Sequence, residues 1–142
     1  MFYSRILVAY NESELAKKSL EAAVQLAKAD ESIELHVVYV SEFQYQPYIM
    51  GNVWDLIDES LLRHGEKILE GAKEQLADVK NPVKTFTERG IASHVILEHA
   101  REHGCDLIVM GSRGLTGIRE FLGSVSHYVV QHSPVPVLIV KS

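Results

Sequence analysis

The chain has 142 residues, 46% of them hydrophobic and 23% charged, with a formal net charge of −5. That length suits one compact domain, residues 1–142, with a sizeable buried core, and the acidic balance argues against broad nucleic-acid binding. Cys105 is the only cysteine, the first ten residues lack the apolar run of a signal peptide, and no segment reaches membrane-span length, so a cytoplasmic domain is expected.

Ile6-Leu7-Val8-Ala9 is a continuous apolar run, the pattern of a strand covered on both faces. Leu15, Ala16, Ser19, Leu20, Ala23, Leu26 and Ala27 then recur at helical spacing, with Glu14, Lys17, Lys18, Glu21 and Lys28 mostly elsewhere around the cylinder. Leu35 and Val37-Val38-Tyr39-Val40 predict a second strand. Ser41 to Asn52, with Pro47 and Gly51, reads as an irregular loop. A long helix follows, with Val53, Ile57, Leu61, Ile68 and Leu76 along one side, although Gly65 and Gly71 weaken its continuity. Asn81-Pro82 ends it, and Val83 to Thr87 fits a third strand. Ile91, Val95, Ile96 and Ala100 mark a helix closing near Gly104, and Leu107 to Met110 is a fourth strand. A glycine-rich stretch from Gly111 leads into a helix with Val125, Val129 and Val130, stopped by Pro134. Val135 to Val140 is the last strand; Pro136 within it points to a sheet edge, because proline donates no ladder bond.

Alternating strands and helices predict an α/β fold: one doubly wound, mainly parallel sheet with helices on both faces. Such sheets bind ligands beyond the carboxyl ends of their strands, where the strand order reverses. The Tyr10-Asn11 turn and the Gly111 stretch both leave carboxyl ends, which suggests a shared crevice. Glycine lets backbone amides approach a ligand, and a helix N-terminus adds unpaired N–H groups and a favourable dipole. Phosphate is the candidate anion. Glycine also serves a loop that only has to turn.

Seven histidines raise the question of metal or catalytic chemistry. His99 and His103 share a helical face at i, i+4 spacing, as zinc-binding pairs do. Spacing indicates no third ligand, and Glu98, Arg101 and Glu102 suggest a solvated face. His36, in a strand, and His64, in a helix, read as structural. His127 follows Ser124 and Ser126, yet no Gly-x-Ser-x-Gly turn is present. Cys105 reads as a small core residue and Asp106 as a residue leading into a strand. No catalytic and no metal-ligating residue is assigned.

Taken together, the chain resembles the universal stress protein family over nearly its whole length. The most specific matches are Asp106-Leu107-Ile108-Val109-Met110-Gly111-Ser112-Arg113-Gly114, Gly123-Ser124-Val125-Ser126 and Ser133-Pro134-Val135-Pro136-Val137-Leu138-Ile139-Val140. The resemblance implies a flavodoxin-like five-stranded sheet of order 3-2-1-4-5. It also implies homodimers joined through the last strand, here Val135, Val137 and Ile139. The nucleotide-binding branch of the family carries Gly-x2-Gly-x9-Gly-Ser/Thr, and Gly111, Gly114, Gly123 and Ser124 occupy those positions. Two departures stand out: eight residues rather than nine separate Gly114 from Gly123, and Asn11-Glu12 replaces the usual Asp-Gly or Asp-Ser.

The ligand implied is ATP or another adenine nucleotide, with Mg2+. Gly111 and Gly114 would admit ribose and phosphates beside Met110, and Gly123, Ser124 and Val125 would offer N–H groups. Ser124 also suits a helix N-cap. Arg113 and Arg119 would balance phosphate charge or simply face solvent. Ala9, Tyr10, Asn11 and Val40 would line the nucleoside side, with Tyr10 covering the base or packing under the loop. No catalytic base is identifiable and no Gly-x4-Gly-Lys-Ser/Thr is present, so the reading is a nucleotide-binding stress-response regulator with at most slow hydrolysis. Two alternatives stay open. An adenylating enzyme would need a second pocket, for which only 41–52 is available. A nucleotide-free interaction or scaffold protein would fit the shortened loop and Asn11.

Overall fold

The computed structural model describes residues 3–42, 51–113 and 122–141. The elements run β1 (Arg5–Ala9), α1 (Glu14–Ala27), β2 (Glu34–Ser41), α2 (Gly51–Gln75), β3 (Val83–Arg89), α3 (Ala92–His103), β4 (Leu107–Gly111), α4 (Ser124–His132) and β5 (Val137–Val140). The five strands form one parallel sheet of order β3-β2-β1-β4-β5. In its centre Leu7 sits between His36 on β2 and Ile108 on β4. Strand order reverses between β1 and β4.

Alternation of side chains divides the core in two. Ile6, Val8, Leu35, Val37, Leu107 and Val109 pack with Leu20 and Ala23 of α1 and with Leu69 and Ala72 of α2. Of the apolar set expected on α1, Leu26 proves exposed. On the opposite face Leu7, Val38, Ile108 and Met110 pack with Ile96 and Ala100 of α3 and Val129 of α4. Each strand of the sheet centre is therefore covered twice, which is why these segments are uninterrupted apolar runs.

Local chemistry sets the element ends. Ser13 caps α1, its Oγ accepting from Ala16 N at 3.1 Å, and Asn11 Oδ1 accepts from Ser13 N at 2.8 Å in the turn before it. Helix α2 is continuous through both glycines. A Cβ at Gly65 would lie 2.5 Å from Thr87 Cγ2 and 2.9 Å from Tyr39 Cδ2, so its absence lets α2 settle directly on β2 and β3. Asn81 does more than end a helix. It is buried, and its Nδ2 donates to the carbonyls of Ala27, Asp30 and Ile33 at 2.9–3.0 Å, clasping the α1–β2 turn.

Strand β5 is an edge strand, as the proline suggested, but it starts at Val137 rather than Val135. Pro136 precedes it and serves as an acceptor, its carbonyl receiving Ile108 N at 3.0 Å. Residues 43–50, the middle of the expected loop, lie outside the described residues.

Candidate functional site

A cleft of about 290 Å³ opens at the carboxyl ends of β1 and β4. Ala9, Tyr10 and Asn11 line it from the β1 end, Val38 and Val40 from β2, Gly111 and Arg113 from the β4 end, and Gly123, Ser124 and Val125 from the start of α4. Nine of the residues picked out from the sequence for the cleft thus meet across one opening. Gly114, the tenth, and Arg119 lie outside the described residues. Met110 does not reach the cleft: it is 5% exposed and packs in the α3/α4 core. Alternation along β4 sends its side chain inward.

The geometry changes several roles. The ring of Tyr10 belongs to the core beneath α1 and α2, and burial pushes its hydroxyl pKa up. It packs under the cleft instead of covering it. Gly123, not Ser124, is the N-cap of α4, with extended backbone and no side-chain cap bond. Its N–H is engaged, donating to the Ser112 carbonyl at 2.6 Å. That leaves the first-turn amides from Ser124 onward, which have no partner inside the helix. Ser124 is exposed at the cleft.

Four lining residues escaped the sequence reading: Val38, Ala92, Ile96 and Ser126. Val38 and Ile96 read as core, and they are core as well as wall. Ser126 is 1% exposed, and its Oγ donates to the Ser112 carbonyl at 2.6 Å, with the Gly123 carbonyl at 3.1 Å. Ser112 N donates in turn to Val140 O at 2.9 Å. The ends of the glycine-rich stretch are thereby tied to each other and to the sheet edge. Ala92 opens α3, and Glu42 Oε1 accepts its N–H at 2.7 Å. Arg113 Nε is buried with no hydrogen-bond partner among the described residues. A buried guanidinium donor left unpaired is costly, and an anion in the cleft would relieve it.

The histidines depart from expectation. His99 is 2% exposed, not solvated. Glu98, Arg101 and Glu102 do face outward, but His99 falls on the buried stripe of α3 with Ser93, Ile96 and Ala100. It meets His36 of β2, equally buried, with His36 Nδ1 at 2.9 Å from His99 Nε2. His36 Nε2 contacts Glu34 Oε1 at 3.0 Å and His99 Nδ1 contacts Glu88 Oε1 at 3.0 Å. Burial pushes both imidazoles below their ordinary pKa, against the opposing pull of Glu34 and Glu88. Burial would raise Glu34, yet hydrogen bonds from Arg5, His36 and Lys84 outweigh it and hold that carboxyl at about 2. Cys105 is buried in the same core, its thiol pushed up to about 11 by burial. His64 is exposed on α2.

A parallel five-stranded sheet of this order, with a glycine-lined cleft at its switch point, defines a doubly wound α/β domain, a fold class that takes ligands at that point. A family model described as the Universal stress protein family matches residues 2–141. The universal stress protein YxiE of Bacillus subtilis is 40% identical over 148 residues, covering 98% of this chain and 99% of the relative. The chain belongs to the universal stress protein family. Among solved structures, the universal stress protein UspA from Lactobacillus plantarum superposes with a TM-score of 0.85 at 27% identity, covering 99% of each chain. A universal stress protein crystallised in complex with cAMP superposes with a TM-score of 0.69 at 25% identity, covering 99% of this chain and 98% of its own. Among the described residues, no helix is long and apolar enough to cross a membrane.

Proposed function

We propose that the cleft binds an adenine nucleotide, ATP with Mg2+, and that occupancy regulates a homodimer formed through β5. The observation that carries this reading is the meeting of two donor sets at one opening. The first-turn amides of α4 and Arg113 Nε, without hydrogen-bond partners among the described residues, both border the cleft. Ala9, Val38, Val40 and Ile96 supply an apolar wall suited to a purine ring. A related structure holding cAMP supports the adenine class of ligand.

The described lining contains no carboxylate and no histidine. Mg2+ would therefore be held by the phosphate oxygens it arrives with, and Asn11 and Ser124 are the polar side chains available beside them. When bound it screens phosphate charge. This reading includes at most slow hydrolysis. Edge strand β5 favours pairing with a second copy, since among the described residues no strand lies along its outer N–H and C=O groups. Val135, Val137 and Ile139 stay assigned to that interface, although all three also pack on the α3/α4 core.

Thermal unfolding with ATP·Mg2+, AMP, cAMP and GTP tests the reading. A ligand selective for the native state raises the midpoint, so an adenine-specific rise is expected. No rise with any adenine nucleotide, in folded protein stripped of small molecules, would favour the nucleotide-free scaffold.

A further inference from the structure

The buried histidine pair poses a problem in proton counting. Glu34 is bound to Arg5 at 3.0 Å and lies 3.3 Å from Lys84 Nζ, so it is an acceptor, and His36 Nε2 must donate to it. Glu88 accepts from His99 Nδ1 in the same way. Each neutral imidazole has one ring proton, and both protons are then committed. The remaining nitrogens, His36 Nδ1 and His99 Nε2, face each other at 2.9 Å with a lone pair each. Two lone pairs at that distance repel unless an electrophile lies between them. It is either a proton or a metal ion.

The third histidine separates these cases. His103, one turn beyond His99 on α3 and half-buried, stacks on His99 with ring centroids 4.0 Å apart and lies edge-on to His36 at 5.3 Å. Among the described residues its ring has no hydrogen-bond partner; only its carbonyl is held, by Arg5. One nitrogen from each of the three rings lies within 4.8 Å of the others. A bridging proton requires two nitrogens, whereas a third converging ring fits a metal. Phe86 packs against all three rings at 4.5–5.2 Å, closing the wall behind them.

We propose that His36 Nδ1, His99 Nε2 and a ring nitrogen of His103 form a three-histidine site for a divalent transition-metal ion of the zinc class. Tetrahedral zinc at about 2.0–2.1 Å from each nitrogen places its ligands about 3.3 Å apart. The His36–His99 gap therefore opens by a few tenths of an ångström, and the unrestrained His103 ring swings in. Glu34 and Glu88 supply the carboxylates that metal-bound histidines commonly engage through their other ring nitrogen, fixing tautomer and orientation.

The test uses tag-free protein, stripped with chelator, dialysed and titrated with Zn2+ or Co2+. One ion per chain is expected, with Co2+ giving the intense visible bands of tetrahedral coordination. Because His103 is half-buried, His103→Ala keeps the fold; it should weaken Co2+ binding at least about 10-fold, and Glu88→Gln by about 10- to 100-fold. The exposed His64→Ala variant should bind as the parent does. Octahedral Co2+ spectra, or equal affinity in the parent and His103→Ala, would overturn the site. A nitrogen-15 imidazole spectrum with a shared proton in the His36–His99 bond that Zn2+ leaves unmoved would also overturn it, assigning that electrophile as a proton.

Discussion

Ser126 Oγ donates to the carbonyl of Ser112 at 2.6 Å, so the first turn of α4 is bound to the end of β4 by a buried bond spanning the glycine-rich stretch. The same carbonyl accepts Gly123 N–H. Removing the hydroxyl therefore loosens the tie without orphaning Ser112. Ser126→Ala should lower stability by about 1 kcal/mol, the usual net worth of one hydrogen bond. Urea unfolding measures the loss, and calorimetry with ATP·Mg2+ should show weaker binding.

Gly123→Val tests the cleft more sharply. A Cβ there would lie 3.2 Å from Arg113 Cα, which is backbone and cannot rotate away. The φ of −67° suits any residue, so the fold should persist while the α4 start is displaced from Arg113. Nucleotide affinity should fall at least about 10-fold, a loss near 1.4 kcal/mol. A soluble, folded variant with undiminished affinity would remove Gly123 from the site.

Gly65 sets two opposing effects against each other. Alanine improves helix propensity by about 1 kcal/mol, whereas overpacking costs about 1–3 kcal/mol. With the new Cβ at 2.5 Å from Thr87 Cγ2 and 2.9 Å from Tyr39, overpacking wins. Chemical denaturation should find Gly65→Ala less stable than the parent. A stabilised variant would show that α2 can lift off the sheet freely.

The dimer proposal is best probed at Leu138, the outward-facing residue of β5 at 39% exposure. Val137 and Ile139 also serve the core, so charging them confounds assembly with folding. Leu138→Glu should reduce the dimer fraction in sedimentation while leaving the monomer's unfolding midpoint nearly unchanged. A dimer that persists at equal strength would place the contact elsewhere.

The strands, their order of occurrence and the two turns that border the cleft were legible because they follow from local rules, whereas Ala9, Val40 and Gly123 to Val125 were placed there by the family resemblance. Apolar runs mark strands covered twice, and a glycine-rich stretch after a strand marks a carboxyl-end loop. Long-range relations were not legible. His36 and His99 are 63 positions apart, and their meeting depends on β2 register and α3 rotation together. The charges at Glu98, Arg101 and Glu102 concealed the buried stripe because period 3.6 interleaves the two faces. Ser126 looked like an ordinary helix residue, and Asn81 like a helix breaker, because the carbonyls they hold are named by the fold alone.

Helix α3 contributes Ala92 and Ile96 to the cleft at one end and His99 and His103 to the histidine cluster at the other. Twelve residues make it a rod of about 18 Å. A rod gripped at both ends cannot tilt at one without answering at the other. If the tilts favoured by nucleotide and by metal agree, each must tighten the other's hold by the same factor; if they conflict, each must loosen it equally.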